Sequence, residues 1–300
     1  MRFPARFVSR IVLLAMMAAL AGGCSRGGDQ ALIDKAATEQ AGTSGLASIQ
    51  PGELHYYPPG EYLKGGYPAN PPETRVRFDR ALLIMKRQVS QAEYAECVRD
   101  KACKQLGKDQ RGAVAPDMPV VGVSWRDATD YATWLSRKTG HHYRLPTFAE
   151  WVHAAGPDYQ EDVVLQAFDP ADPAQRWLAE YKLETQRRTV VDAVPRPFGS
   201  FGQNEAGVQD MVGNVWDWTD TCHSRTNLDI AEDGDTAAGR NCGLRVVAGP
   251  HRSVITDFIR DPKGGACSVG IPPSNLGFRL VRDDSAGVAE PSLRQKLGIG

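Results

Sequence analysis

The 300-residue sequence contains no long run of basic residues, no acidic tail and no internal repeat. Its 35 Lys and Arg nearly balance its 36 Asp and Glu, which gives a formal net charge of −1. Without a basic patch, the charge distribution gives no reason to expect a nucleic-acid partner. The apolar run at residues 11–21 is too short to cross a bilayer as a helix, because a crossing needs about 20 residues.

The first two dozen residues are similar to a secretion signal. Three arginines provide a positive start, the short apolar run follows, and the segment ends in LAGGC at Cys24. Small residues directly before a cysteine resemble a lipobox, in which the cysteine carries lipid and becomes the mature N-terminus. We therefore expect residues 1–23 to be a lipoprotein signal peptide and Cys24 to be lipidated. The alternative is an ordinary signal with a chance cysteine.

Residues 24–50 are rich in Gly, Ala, Ser, Thr and Gln and hold few large apolar side chains. Such a segment cannot bury a core, so we expect a flexible tether between the membrane and the folded part. Residues 283–300 predict a similarly loose C-terminal tail. Between these segments, residues 51–282 have no repeat and no obvious linker, which predicts one compact domain.

Three helix starts are visible between residues 90 and 150. Ser90 and Glu93 form a capping box, and Ser124 and Thr147 open two further segments with apolar residues at helical spacing. Short apolar stretches predict strands at residues 75–78, 81–85, 119–123 and 244–248. With 30 Gly and 20 Pro, much of the chain should be irregular. These signals predict an α+β domain.

Four blocks of sequence occur in a fixed order. They are PPGEYLKG with QVSQAEY (58–65, 88–94), PVVGVSWRDA with YRLPTFAEW (119–128, 143–151), NEAGVQDMVGNVWDW (204–218) and NLGFR (275–279). Together they resemble the formylglycine-generating enzyme, or sulfatase-modifying factor, family. The resemblance implies that family's fold, a variant of the C-type lectin-like fold with much irregular structure.

The best-known chemistry of this family oxidises a sulfatase cysteine to formylglycine. It uses two neighbouring cysteines after an RGGS motif, because thiolates suit the soft ion Cu(I). The matching stretch here, residues 245–260, contains no cysteine, and AGPH replaces RGGS. We therefore expect no catalytic residues of this kind, no copper and no ordinary formylglycine synthesis. Cys267 lies beyond this stretch and is either a small buried residue or a catalytic remnant.

The third block has a calcium interpretation. In family members a Ca²⁺ ion is held by oxygen ligands near this motif. Carried over to this chain, those ligands are Asp210, Gly213, Val215 and Asp217. Asp217 is one methylene shorter than the usual Glu, and a structural turn capped by Asp210 is the alternative. The six histidines lack the pattern of the family's iron-dependent sulfoxide synthases, so we expect them to be surface or core residues.

Two cysteine pairs have spacings that resemble structural pairs in secreted members of the family. The resemblance therefore implies disulfides between Cys97 and Cys103 and between Cys222 and Cys242. An oxidising periplasm would allow both to form. The stretch from 157 to 198 departs from the family, since it lacks the usual PWG and AN segments.

A preserved fold pattern with a lost active-site pattern predicts a non-catalytic binding or regulatory scaffold. It would lie in the periplasm, lipid-anchored to the outer membrane as Ser25 favours, and contact an envelope protein, peptide or glycan. The alternative is a periplasmic oxidoreductase or maturation enzyme, since the oxidase of pyoverdine maturation resembles the family without the cysteine pair. A closed pocket lined by His251, Asp257 and Cys267 would favour the enzyme, and a shallow surface would favour binding.

Overall fold

The structure is a computed structural model that describes residues 45–107, 115–161, 172–188, 194–230, 238–261, 273 and 275–284. Cys24, Cys267 and the predicted signal peptide lie outside these residues. The described strands are β1 (Leu46–Ile49), β2 (Gly52–Tyr56), β3 (Glu61–Lys64), β4 (Tyr67–Ala69), β5 (Thr74–Phe78), β6 (Leu82–Met85), β7 (Tyr143–Arg144), β8 (Trp216–Asn227), β9 (Ala238–Ala248), β10 (Ser253–Thr256), β11 (Leu276–Gly277) and β12 (Val281–Arg282). The described helices are α1 (Gln91–Arg99), α2 (Trp125–Thr139), α3 (Phe148–Ala155) and α4 (Pro173–Arg188), and a 3₁₀ turn covers Gly156–Asp158.

The strands form three sheets. The largest has the order β10-β9-β8-β3-β4, and β11 pairs with β8 in parallel. The second has the order β1-β6-β12-β7, and β2 pairs with β5 in the third. Because helices and mainly antiparallel sheets are not arranged as alternating βαβ units, the fold is α+β, as predicted.

Strand β1 corrects the predicted tether boundary at residue 50. It pairs with β6 in the four-stranded sheet, and its residues Ala47 and Ile49 are buried. The sequence did not predict this strand, because its small residues, such as Ala47, are also typical of a flexible linker. The folded part therefore begins before residue 46.

Each of the first three helices begins at a capping box, which confirms the three predicted helix starts. The pairs are Ser90 with Glu93, Ser124 with Asp127, and Thr147 with Glu150. Each acidic side chain of these boxes also accepts two hydrogen bonds from an arginine outside its helix. The arginines are Arg87, Arg260 and Arg144, respectively. A single carboxylate thus fixes both the start of a helix and its attachment to the domain.

The predicted strand at residues 119–123 is wrong. This segment makes only an isolated bridge between Pro119 and Ser90, and Gly122 has a φ of 70° that a strand does not tolerate. Val120 and Val123 are fully buried. The stretch is apolar because it crosses the core as an extended loop.

The remaining features of the fold are two disulfides and helix α4. The predicted disulfides are both present: Cys97–Cys103 joins the last turn of α1 to the segment after it, and Cys222–Cys242 joins β8 to β9. Helix α4 was not predicted, and it falls in the stretch where the sequence departs from the family. No helix in the described part of the chain has the length and apolar character needed to cross a membrane.

The capping acid of α3 should make stability depend on pH. Burial opposes ionisation of Glu150, but hydrogen bonds from Arg144 and Thr147 hold its pKa below the usual 4.5. Stability from this group is therefore full above about pH 4.5 and is lost as the pH falls through the lower pKa of the folded state. We expect Glu150→Gln to lower the free energy of unfolding at pH 7 by about 1.5–3 kcal/mol.

Urea denaturation at a series of pH values measures this effect. The gap between wild type and Glu150→Gln should narrow below about pH 4.5. Glu73→Gln, at an exposed loop position, is the control and should match wild type throughout. A gap that is constant down to acid pH would show that the carboxylate charge is not the source of the stability.

Candidate functional site

Asp210 caps a turn in the third sequence block. Its two carboxylate oxygens accept hydrogen bonds from the backbone N–H groups of Gly199 and Phe201, each at 2.8 Å. The Asn214 amide also donates to it at 3.4 Å. Asp210 has a left-handed φ of 57°, a conformation that aspartate adopts more readily than most residues. These contacts match the structural alternative considered for this residue.

Asp217 forms the most buried ion pair of the described structure. Arg279 Nε donates to its Oδ2 at 2.6 Å, and Trp151 Nε1 donates to the same oxygen at 2.9 Å. Asp217 and Arg279 are both at most 1% exposed. Burial raises the pKa of the Asp217 carboxyl, while Arg279 and Trp151 favour the carboxylate.

These contacts do not fit the calcium ion that the resemblance implies. A Ca²⁺ site gathers oxygen ligands whose lone pairs face the ion. Here both carboxylate oxygens of Asp210 accept from backbone N–H groups, and the Oδ2 atom of Asp217 accepts from a guanidinium cation, so three of the four carboxylate oxygens are already engaged. Gly213 lies tight against the Phe201 ring, and the Val215 carbonyl accepts from Gln88 at 3.5 Å. Among the described residues, no group of three or more His, Cys, Asp and Glu is placed to hold a metal.

The stretch that matches the family's catalytic segment runs from the end of β9 through β10. At its first turn, the Trp216 ring packs against Gly249, where a Cβ would lie 2.7 Å from the ring. Trp216 Nε1 donates to the His251 carbonyl at 3.0 Å, and the two rings meet edge to face at 5.2 Å. His251 is therefore a buried residue that packs against a core tryptophan.

Two arginine–aspartate pairs join the end of this stretch to the start of α2. Arg126 donates twice to Asp257, at 3.0 and 3.2 Å, and Arg260 donates twice to Asp127, at 2.6 Å for both bonds. The pairs are crossed, since each partner segment supplies one arginine and one aspartate. Burial opposes ionisation of Asp127, but hydrogen bonds from Arg260 and Ser124 hold its pKa below the usual value. Bidentate geometry makes both contacts directional and rigid.

An open cleft with a volume of about 530 Å³ lies beside these pairs. Its lining residues are Lys104, Ser124, Arg126, Asp127, Asp130, Phe258, Ile259, Arg260 and Asp261. Phe258 is 59% exposed, and Arg126 lies over its ring. Partial burial and the nearby Asp127 raise the pKa of Asp130. The cleft thus presents both signs of charge around an aromatic ring.

Comparison with known proteins identifies the fold and the family. The sulfatase-modifying factor enzyme 1-like domain matches residues 31–284. The chain belongs to this family. It is 30% identical to a formylglycine-generating enzyme of Streptomyces coelicolor over 182 residues, which cover 56% of this chain and 54% of the relative. It is also 30% identical to the inactive C-alpha-formylglycine-generating enzyme 2 of Bos taurus over 173 residues, which cover 55% and 50%.

A solved structure supports the same fold. The structure of PvdO from Pseudomonas aeruginosa superposes with a TM-score of 0.51 at 22% identity, covering 79% of this chain and 94% of that one. The sulfatase-modifying factor fold predicted for this chain is therefore present. The chain spans about half or less of the length of the first curated relatives that it matches.

A closed pocket lined by His251, Asp257 and Cys267 would have favoured the enzyme alternative for this sulfatase-modifying factor domain. His251 packs on Trp216, Asp257 pairs with Arg126, and Cys267 lies outside the described residues. Sequence reasoning missed the crossed pairs, although Arg126 and Asp127 lie within the second matched block and Arg260 ends the stretch 245–260. Their partners are about 130 residues away in sequence, so only the fold shows the pairing.

The buried pair of this domain should dominate its stability. In Arg279→Met, the Asp217 carboxylate loses its cation in a site that water does not reach. We expect the free energy of unfolding to fall by about 3–5 kcal/mol, measured by urea denaturation.

An exposed pair provides the matched control. Arg77 and Asp79 form an ion pair at 2.7 Å with both side chains more than 70% exposed. Arg77→Met should change stability by no more than about 1 kcal/mol. If Arg279→Met costs as little as Arg77→Met, the buried pair does not hold the fold together.

Proposed function

We propose that the chain is an envelope lipoprotein whose sulfatase-modifying factor domain binds a partner and does not make formylglycine. The observation that carries the proposal is the crossed pair of bidentate salt bridges at the catalytic-matching segment. Residues 248–260 supply no thiol, and their charged side chains Asp257 and Arg260 are held by α2. Groups locked in this way are poor nucleophiles and bases, because their charge and lone pairs are already engaged.

The cleft beside the crossed pairs is the proposed contact surface. The cleft is open to solvent, which supports a role in binding. Phe258 offers an exposed aromatic ring, and Lys104 and Asp130 offer charges of opposite sign. Aromatic anchors surrounded by polar groups are typical of protein-binding surfaces. We therefore favour a polypeptide segment of another envelope protein as the ligand over a glycan.

The relationship to a curated inactive member adds support. Two of the similar mammalian proteins carry the word inactive in their names, at 30% identity each. Family membership without the oxidase chemistry therefore has a precedent among sequences as similar as the active enzymes. Fold alone does not decide between these functions, so the residues of the site carry the argument.

The lipoprotein part of the proposal rests on the sequence before the domain. The positive start, the short apolar run and the LAGGC sequence are together typical of a lipid-modified export signal. The two disulfides fit an oxidising compartment, since such bonds persist in the periplasm. Cys24 would then hold the domain at the membrane, with residues 25–45 as the spacer.

A periplasmic oxidoreductase is the second candidate. The observation in its favour is the position of the cleft, which lies at the segment that matches the family's catalytic stretch. Such an enzyme would act on a peptide or metabolite without the cysteine pair. The two candidates differ in whether a substrate is chemically changed.

Incubation with a sulfatase-type peptide tests the missing oxidase activity. The purified protein, supplied with Cu(I) and oxygen, should leave the peptide cysteine intact, because the aliphatic side chains of Val254 and Ile255 cannot ligate a soft metal. Mass spectrometry of the peptide is the measurement, with the Streptomyces coelicolor enzyme as the positive control. Conversion of the cysteine at a rate proportional to this protein would refute the proposal and favour the oxidoreductase.

Membrane fractionation tests the lipid anchor. Cys24→Ala should release the protein from the membrane fraction and leave its melting temperature unchanged, because the anchor lies outside the folded domain. Ser25→Ala, which keeps the cysteine, is the matched control and should remain with the membranes. Retention of Cys24→Ala in the membrane fraction to the same extent as wild type would contradict the assignment.

A further inference from the structure

Helix α4 is attached to the domain by one polar side. Arg176 donates to the Asn70 side chain at 3.1 Å and to the Ala69 carbonyl at 3.4 Å, and its side chain is only 18% exposed. It also pairs with Glu180 one turn later. These contacts fix which side of the helix faces the end of strand β4. The opposite side therefore faces away from the domain.

That outward side carries the apolar residues of the helix. Ala174, Trp177, Leu178 and Tyr181 follow the spacing i, i+3, i+4, i+7, which places them on one face. The three large side chains are 62%, 49% and 55% exposed, in that order. The rings of Trp177 and Tyr181 stack with their centroids 5.6 Å apart. This pattern is typical of a buried helix face, yet here it points outward.

The size of this face argues against a second copy of the chain as its partner. A 16-residue helix is about 24 Å long, and only three of its large apolar side chains are exposed. A stable protein interface buries about 800 Å² on each side and involves some 20–30 residues. The outward face of α4 is much smaller than that.

The chemistry of the face fits the headgroup region of a phospholipid bilayer. Trp and Tyr concentrate at membrane interfaces, because each has an apolar ring and a polar N–H or O–H group. The helix sequence also contains four basic and two acidic residues, and Lys182 is exposed beside the apolar face. A net positive helix is attracted to anionic phospholipids.

Because the proposed tether already holds the domain near the membrane, a small contact between α4 and the bilayer is enough for docking. About 20 residues separate Cys24 from the first described residue, Gly45. A flexible chain of that length has an end-to-end distance of about 25 Å, so a lipid on Cys24 would keep the domain close to the bilayer. A linked second contact then acts at a high effective concentration and needs little affinity of its own.

We infer that the outward face of α4, formed by Trp177, Leu178 and Tyr181, docks onto the anionic phospholipid surface to which the chain is anchored. The inference rests on the proposed lipid anchor at Cys24. Docking would fix the orientation of the domain at the membrane.

Quenching of tryptophan fluorescence by brominated lipid tests the inference. The full lipidated protein is reconstituted into phosphatidylethanolamine and phosphatidylglycerol vesicles with brominated or ordinary acyl chains. Trp177 should be the tryptophan that is quenched, since Trp134, Trp151, Trp216 and Trp218 are buried and the partly buried Trp125 has Arg245 over its ring. Trp177→Phe should remove that quenching.

A second variant keeps the reporter and removes the contact. Leu178→Ser with Tyr181→Ser retains Trp177, and its docked population should fall by about tenfold or more, because two apolar side chains leave the lipid. Val212→Ser changes an exposed apolar side chain outside α4 and outside the cleft, and it should leave quenching unchanged. Circular dichroism checks that all variants remain folded.

The outcomes distinguish the helix from the anchor. If wild type does not associate with the vesicles, the anchor fails. If wild type associates but Trp177 is not quenched, the anchor stands and the docking of α4 is overturned. If light scattering shows a dimer that Leu178→Ser with Tyr181→Ser converts to monomer, the face binds a second copy and the docking is likewise overturned. Quenching that Trp177→Phe and the double variant both abolish would support the inference.

Discussion

The rest of the structure depends on the buried contact between Arg279 and Asp217. Arg279 comes from the fourth matched sequence block, and Asp217 comes from the third. The arginine also donates to the carbonyls of Gln209 and Lys86, at 3.0 and 3.5 Å, and Trp151 of the second block donates to the same carboxylate. One guanidinium therefore joins segments from the whole length of the domain. A charge pair this deep is tolerated only when its hydrogen bonds are nearly all made, which ties these segments to one geometry.

Single carboxylates also make several contacts at the starts of the first three helices. Glu93, Asp127 and Glu150 each close a capping box and each receive an arginine from another part of the chain. In a domain with short strands and much irregular backbone, such directional contacts supply the order that long ladders supply elsewhere. Beside the cleft, the same arrangement holds residues of the candidate site in place. The aspartate that starts α2 also holds Arg260, at the end of the stretch 245–260 that contains no cysteine.

Local signals in the sequence predicted much of the fold. Capping boxes located three helices, because their chemistry lies within four residues, and alternating or apolar runs located strands such as β5 and β6. The segment at residues 119–123 was misread, since an apolar loop through a core has the composition of a strand. Helix α4 was missed although Ala174, Trp177, Leu178 and Tyr181 follow helical spacing, because it lies in a stretch without a capping box or any of the four matched sequence blocks. At the candidate site, the sequence predicted only that the catalytic-matching stretch has no thiol. The salt bridges of Arg126 and Asp127 could not be predicted, because their partners are about 130 residues away in sequence.

The positions of β11 and β12 within the sheets determine when the chain can complete its folding. Strand β12 sits between β6 and β7, and β11 pairs with the long strand β8, so both larger sheets stay incomplete until residues 276–282 are available. Arg279 lies between these two strands. The chain therefore cannot finish folding while its C-terminal end is still being synthesised or threaded through a translocation channel. For the export proposed above, this delay would keep the chain unfolded until its C-terminal end is available, because its own topology postpones the native state.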